Sequence, residues 1–470
     1  LLSQAATTLP PLDPDFKPFA LGKRAYLMAV TESHSKANLV CCLEREDGLV
    51  NRFVIPVLAF THPHYRDSET YALRMIKFNM WSTGGWKLYL RGPQELCDFL
   101  KMKFTPNVGS IIDFDLQTMK KIYGRDFTCV IVDDEADLPH EKSHEFAVGG
   151  DTKGCRLAFD LGKSDFKVVA VQDGEVVYSK ETEWDIWQQD PTYHYHVILE
   201  GLQEAAKSMP RVDGIGGSTA GVPINNDCVW SDCFPNIPDN LYKKQVVPIF
   251  KNIAKEFGEN TPLTVINDGE VTALAGMGMV GKPALFGISM GSNEGAGYVD
   301  RQGRLTGWIN ELWAAPVDFN PTAPKCPWSG ARGVGSMYFG QRAVEKLAPK
   351  AGFTFPAGML PQHKLKEVQK AMAEGDQRAV PIYESIGVYL AYATAQYADF
   401  YDFDSFLILG RVTSGPGGNV ILKKAKEVLD KEFPEYGHIN YVTPDEHMKR
   451  VGQAVAAANL PIIEKSLLSQ

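Results

Sequence analysis

Hydrophobic and polar positions alternate most regularly after Cys155. An apolar run from Cys155 to Phe159 ends in Asp160-Leu161-Gly162-Lys163-Ser164, a strand-like run covers Phe166 to Val171, Asp173-Gly174 marks a two-residue turn, and Glu175 to Ser179 returns. This predicts a three-strand meander with a polar, glycine-containing first turn. The same plan recurs as a strand from Ala284 to Met290, the turn Gly291-Ser292-Asn293-Glu294-Gly295-Ala296-Gly297, a short strand from Tyr298 to Asp300 and a turn at Gln302-Gly303. The repeat predicts a duplicated lobe. Between the copies, helical patterns cover Tyr193 to Ser208 and Asn240 to Phe257, and strand patterns cover Val212 to Gly216 and Leu263 to Asn267. Strands alternating with helices predict an α/β fold.

Downstream the pattern is mostly helical from Ala331 to Asp399, a strand from Phe406 to Leu409 meets Gly410, a helix begins near Gly418, and a last helix covers about His447 to Asn459. Before residue 150, strands at Tyr26 to Val30, Asn38 to Leu43 and Leu49 to Ile55, with Asp47-Gly48 as a turn, predict another meander. Helices are expected at Gln94 to Lys103 and Leu116 to Tyr123. These elements suggest an appended N-terminal α/β domain.

Composition narrows the class. The 470 residues correspond to roughly three compact units at about 150 residues each. With 44% hydrophobic and 22% charged residues, disorder and collagen-like repeats are excluded. The net charge of −9 argues against a nucleic-acid or anionic-membrane surface. Residues 1–150 carry 17 Lys plus Arg and 19 Asp plus Glu, so they offer no basic face for DNA, and they hold no helix-turn-helix pattern. Eight cysteines without a C-x-x-C pair read as reduced thiols, which predicts a cytoplasmic location. No run of 18 apolar residues exists to span a membrane, and Leu1 to Pro14 lacks a signal-peptide pattern. A small molecule is the expected partner, and a homo-oligomer is compatible with the composition.

The chemistry concentrates in the two glycine turns and one strand end. Glycine lets backbone N–H groups approach phosphate oxygens, and Ser164 and Ser292 add donors without crowding. Asp160, at the end of its strand, reads either as a cap or turn residue or as a carboxylate for a hydrated Mg²⁺ ion. Asp268 follows the strand Leu263 to Asn267 and precedes an alanine-rich helix, so it reads either as a helix N-cap or as a general base for a substrate hydroxyl. Asn267 offers a donor and an acceptor beside it. The acidic cluster Asp133, Asp134, Glu135 and Asp137 reads as a solvated strand end, and His62 and His64 as loop residues.

With these motifs in place, residues 155 to 470 resemble the ROK family (repressors, open reading frames, sugar kinases) of the actin, hexokinase and Hsp70 superfamily. Asp160, Gly162 and Ser164 match the first phosphate motif, with Lys163 replacing a glycine. The segment Gly214 to Asn225, including Gly217 and Ser218, is similar to the family's Gly-x-x-x-Pro-Gly-Pro turn. Val265-Ile266-Asn267-Asp268 with Ala273 resembles the segment whose Asp is the base and whose Asn contacts the sugar. Gly291, Ser292, Asn293, Gly295 and Gly297 lie in the second phosphate motif, Glu311 at a sugar-contacting carboxylate, and Gly410 with Arg411 in the adenosine motif.

The resemblance implies a two-lobe actin-like ATPase with ribonuclease H-like duplicated lobes. It divides the chain into an accessory domain at 1–150, a first lobe at 151–268 rejoined by a helix at about 447–470, and a second lobe at 269–446. It further implies ATP and Mg²⁺ as cofactors and phosphoryl transfer to a carbohydrate, with Asp268 as base. A side chain at Gly410 is then expected to weaken nucleotide binding without disturbing the fold.

The departures are specific. Ala314 stands where the family has a zinc- and sugar-binding His, and the family's cysteine cluster is reduced to Cys326. A closed zinc site needs four ligands, so the purified protein is expected to carry no stoichiometric zinc, and one zinc per chain by elemental analysis would overturn this expectation. These losses support a second reading, a non-catalytic sugar- or nucleotide-binding regulator on the same fold.

Overall fold

A computed structural model describes residues 1–107, 110, 112–148, 152–163, 165–444 and 452–463. The chain divides into two compact units. Unit 1 comprises Leu1–His144, Ile288–Ala296 and Gly307–Thr443, and unit 2 comprises Glu145–Gly287, Gly297–Thr306 and Pro444–Gln470.

The chain opens with α1 (Phe19–Glu32), β1 (Lys36–Glu44), β2 (Val50–Leu58), α2 (Tyr65–Ser82), β3 (Lys87–Arg91), α3 (Gln94–Lys103), α4 (Asp113–Tyr123) and β4 (Thr128–Ile131). The strands form one sheet in the order β2-β1-β3-β4, with β1 antiparallel to both β2 and β3. Residues 26–30 are helical and not the predicted strand. Their apolar run fits either period, but Phe19, Gly22, Tyr26 and Val30 are buried at intervals of three and four residues, while Met28 is exposed. Helix α2 and strand β3 carried no recognised pattern.

The acidic residues 133–137 are exposed beyond β4, where Asp134 caps a short turn and Glu135 pairs with Arg52 at 2.7 Å. His62 and His64 lie in the loop before α2.

In unit 2 the order is β5 (Phe146–Ala147), β6 (Cys155–Leu161), β7 (Asp165–Gln172), β8 (Glu175–Glu183), α5 (Pro191–Ala206), β9 (Gly214–Thr219), β10 (Gly221–Ile224), β11 (Asp227–Ser231), the single turn α6 (Asp239–Leu241), α7 (Ile249–Lys255), β12 (Leu263–Asn267) and α8 (Asp268–Val280). The predicted meander is β6-β7-β8, inside a five-stranded sheet of order β12-β9-β6-β7-β8. Strands β6, β9 and β12 run parallel, and one face packs Phe159, Val168, Ile198 and Phe250 into the core. The expected helix from Asn240 to Phe257 is divided at Pro248, which has no N–H to donate and is followed by α7.

The chain continues with β13 (Leu285–Met290), β14 (Glu294–Val299), β15 (Arg304–Leu305), α9 (Gln341–Leu347), α10 (Pro361–Ala373), α11 (Val380–Ala398), β16 (Ser405–Leu409), α12 (Pro416–Glu432), β17 (Asn440–Val442) and α13 (Gln453–Ala458). A second sheet has the order β14-β13-β16-β17. Helix formation after Ala331 is delayed to Gln341, because Gly330, Gly333, Gly335 and Gly340 occupy the intervening loop. Helix α13 packs on β6 and β9, and the start of the predicted last helix lies outside the described residues. All eight cysteines are free thiols. No helix among the described residues is long and apolar enough to cross a membrane.

Candidate active site

In unit 2 the candidate residues meet at the C-terminal ends of three parallel strands. Register pairs Asp160 of β6 with Ser218 of β9, and Asn267 of β12 with Thr219 of β9. Parallel strands thereby bring residues far apart in sequence to one sheet edge, the usual place for a ligand in an open α/β sheet. Gly217 turns toward Phe159, and a Cβ there would fall 2.2 Å from that ring, so the glycine is required for packing. Ser218 is buried, opposite Asp160 in the β6–β9 register.

Asn267 is the N-cap of α8. Its Oδ1 accepts from Gly269 N at 2.7 Å, and its Nδ2 donates to Gly221 O at 2.7 Å. Asp268 therefore stands inside the helix's first turn and is not the cap. The residue is half-buried, and its carboxylate is enclosed by protein. Burial, followed by the negative charge of Asp160, pushes its pKa up to about 7, against the opposing pull of Gly269 N–H and Lys163. The Asp160 carboxyl is also raised by burial, while Ser218 and Lys167 pull it down. Lys163 pairs with Asp232 at 2.6 Å.

Two acidic residues here were missed in the sequence. Asp232 follows the β10–β11 hairpin, and only the folded chain brings it to Lys163. Glu270, buried in α8 with a pKa pushed up to about 8 and one oxygen unpartnered, was visible as a second acid two residues after Asp268 in an otherwise uncharged helix.

Gly162 closes the β6–β7 turn, donating to Asp165 O at 3.0 Å and accepting from Trp184 Nε1 at 2.9 Å. Ser164 lies outside the described residues.

Unit 1 holds the other candidates. In the second glycine turn, Gly291 N donates to Asn293 O at 3.0 Å, and Gln341 N donates to Gly291 O at 3.0 Å. Ser292 is exposed, Gly295 is half-buried, and Asn293 has a buried side-chain oxygen without a partner. The adjacent Glu294 points into the core. It is 2% exposed and accepts from Tyr397 Oη at 3.0 Å, and burial pushes its pKa up to about 8. Because the folded-state pKa is raised, this carboxyl costs stability increasingly as pH rises from its ordinary range toward 8. Glu294→Gln, which keeps an acceptor for Tyr397, is expected to melt higher by an increment that grows between pH 5 and pH 8.5. A lower melting temperature at pH 8.5 would show instead that an ionised Glu294 is stabilising.

Glu311 is half-buried, and its Oε2 accepts from Trp313 Nε1 at 2.6 Å. Ala314 and Cys326 are both buried, and no group of three or more potential metal ligands exists among the described residues. Arg411 is exposed, with its carbonyl accepting from Gln369. Gly410 follows β16 at φ +103, and a Cβ there would lie 2.6 Å from backbone atoms of Met290. This overturns the expectation that a side chain at Gly410 would spare the fold, because the glycine is needed where β16 passes β13.

The fold has known relatives. The ROK hexokinase from Thermus thermophilus superposes with a TM-score of 0.52 at 19% identity, covering 66% of this chain and 98% of that one. This chain has a ROK-family fold. A ROK-family transcriptional regulator, a homolog of the E. coli MLC protein, gives a TM-score of 0.54 at 19% identity over 67% of this chain and 78% of its own. A ROK-family glucokinase from Streptomyces griseus, in complex with glucose and AMPPNP, gives 0.50 at 17% identity over 66% and 99%. The expected two-lobe α/β class of the ROK sugar kinases is thus present. No protein-family model matches the sequence, and no curated protein matches it.

Proposed function

We propose that the protein transfers a phosphoryl group from ATP to a hydroxyl of a sugar or polyol. The observation that carries this reading is the Asp268 carboxylate, released from helix capping by Asn267 and tuned to about 7 at the end of parallel strands. A general base works best with a pKa near the operating pH. In the proposed step Asp268 takes the proton of the acceptor hydroxyl, and the oxygen forms a bond to the γ-phosphorus. The bond from that phosphorus to the ADP oxygen breaks, leaving ADP and a phosphate ester.

Within unit 2, Asn267 and Ser218 are proposed to bind the acceptor, and the backbone amides of Gly162 and Lys163 with the Lys163 ammonium to hold phosphates. Within unit 1, the family resemblance gives Glu311 an acceptor-binding role, the amides of 291–295 a phosphate-binding role, and Gly410 with Arg411 a place beside the nucleotide. Asp160 offers a hard carboxylate oxygen at the end of β6, with Ser218 and Lys167 favouring its charged form, which fits a hydrated Mg²⁺ ion. When bound, that ion would neutralise charge on the β and γ phosphates. The boundaries 151–268 and 269–446 remain our proposal for the two lobes.

The solved relatives contribute in parallel. The glucokinase was crystallised with glucose and AMPPNP, which supports a carbohydrate and a nucleotide as ligands here. The regulator among them, with the replacement at Ala314, supports the second reading of a non-catalytic sugar- or nucleotide-binding regulator. An ATP-consumption screen against hexoses, amino sugars, anhydro sugars and polyols separates the two. Turnover with one acceptor class is expected. No turnover with any acceptor, while ADP and Mg²⁺ still raise the melting temperature, would replace the kinase reading with the regulator.

A further inference from the structure

The loop carrying Glu311 is held by residues from the N-terminal part of unit 1. The N–H groups of Asn310 and Glu311 donate to the carbonyl oxygens of Ser82 and Trp81, each at 2.9 Å. These carbonyls end α2, where the helix itself supplies no further donors. At the loop's start the buried Arg45 guanidinium donates through Nη1 to Gly307 O at 2.8 Å and to Thr83 O at 3.3 Å, joining the two segments.

The side chains continue the same support. The buried Trp81 ring lies 5.3 Å from that of Trp313, whose Nε1 holds the Glu311 carboxylate. Trp81 is fixed in turn by Asp115, which accepts from its Nε1 at 3.0 Å and from Lys77 at 2.8 Å. Asn310 sits at φ +48, in the left-handed region that asparagine tolerates better than most non-glycine residues. Tyr401 Oη donates to its Oδ1 at 3.0 Å.

We propose that the N-terminal segment of unit 1 is an intramolecular positioning element for the Glu311 loop, with Arg45 and Trp81 as positioning residues that set affinity for the acceptor. The affinity part rests on the carbohydrate reading of Glu311, whereas the positioning part does not.

The test uses the full chain. Arg45→Met keeps most of the side-chain volume and removes both hydrogen bonds. Hydrogen exchange at the amides of 310 and 311 is expected to rise at least about tenfold in this variant, since loss of a buried charged hydrogen bond is worth about that factor or more. Amides of α8 should keep their wild-type rates. With the acceptor identified by the screen, its KM should rise roughly tenfold while kcat and the KM for ATP stay unchanged. The double variant Arg45→Met/Glu311→Gln should match Glu311→Gln alone, because Arg45 acts through Glu311.

Wild-type exchange at 310 and 311, or KM effects that multiply in the double variant, would overturn the proposal. If Arg45→Met does not fold, Arg45→Lys retains the charge and one hydrogen bond. An intermediate exchange rate then supports the proposal and a wild-type rate overturns it. Without any acceptor the carbohydrate reading fails separately, and the exchange result still decides the positioning.

Discussion

Asp268→Asn is expected to lower turnover about 10²- to 10⁴-fold while leaving nucleotide binding intact, the range for loss of a general base. Asparagine keeps the size of the side chain and its contact with Gly269 N–H but cannot take a proton. Capping is untouched, since Asn267 performs it. The pH dependence follows from the same environment. With a pKa near 7, the base is progressively protonated below neutrality, so wild-type kcat/KM should fall about tenfold per pH unit on the acid side.

Stability should move the other way. The folded chain holds the Asp268 proton up to about pH 7, whereas the unfolded chain releases it near the ordinary carboxylate value, so wild-type stability declines as pH rises through that window. The asparagine variant escapes this decline and should melt higher at pH 8 but not at pH 4. Turnover at saturating ATP and acceptor checks the first claim, and calorimetry at the two pH values checks the second. Equal turnover in the two proteins would remove Asp268 from the mechanism.

Gly410→Val is expected to destabilise the fold by about 3 kcal/mol or more, through backbone strain and overpacking together. At φ +103 a β-branched residue is strained in any surroundings, and its Cβ would overlap the Met290 backbone. The carbonyl of Gly410 also accepts from Thr413 N at 3.2 Å and from Thr413 Oγ1 at 2.9 Å, so displacement would loosen the turn before α12 as well. Chemical denaturation measures the loss. A variant as stable as the wild type would show that β13 and β16 can separate at this point without cost. Nucleotide affinity in such a variant says little about direct contact, because any weakening would follow from the altered strand pair.

Much of the fold was legible where burial follows a local period. The strand Leu263–Asn267 and the helix Gln94–Lys103 match their patterns end to end, and the β6-β7-β8 meander appears with its Asp173-Gly174 turn. Local sterics and one-sided burial act over a few residues, so spacing reports them. Helix α2 escaped because its buried face includes Ser68, Lys77 and Asn79, polar residues satisfied by the distant Tyr26, Asp115 and Asn51, and also Glu69, which pairs with Arg66 one turn back. The strand read at 26–30 failed for the complementary reason, since a continuous apolar run carries no period of its own.

What the sequence determined by itself was the order of strands, turns and helices around the two glycine turns, and the placement of Asp268 between a buried strand and a helix. Both depend on neighbours along the chain. The tertiary structure alone decided which residue caps α8, what raises Asp268, where Glu294 points and what supports Glu311. Capping depends on Gly221 O accepting from Asn267, the charge environment on Asp160, Lys163 and Asp232, and the Glu311 loop on the end of α2. Hydrogen-bond completion, desolvation and like-charge repulsion act through space, between groups that no sequence period connects.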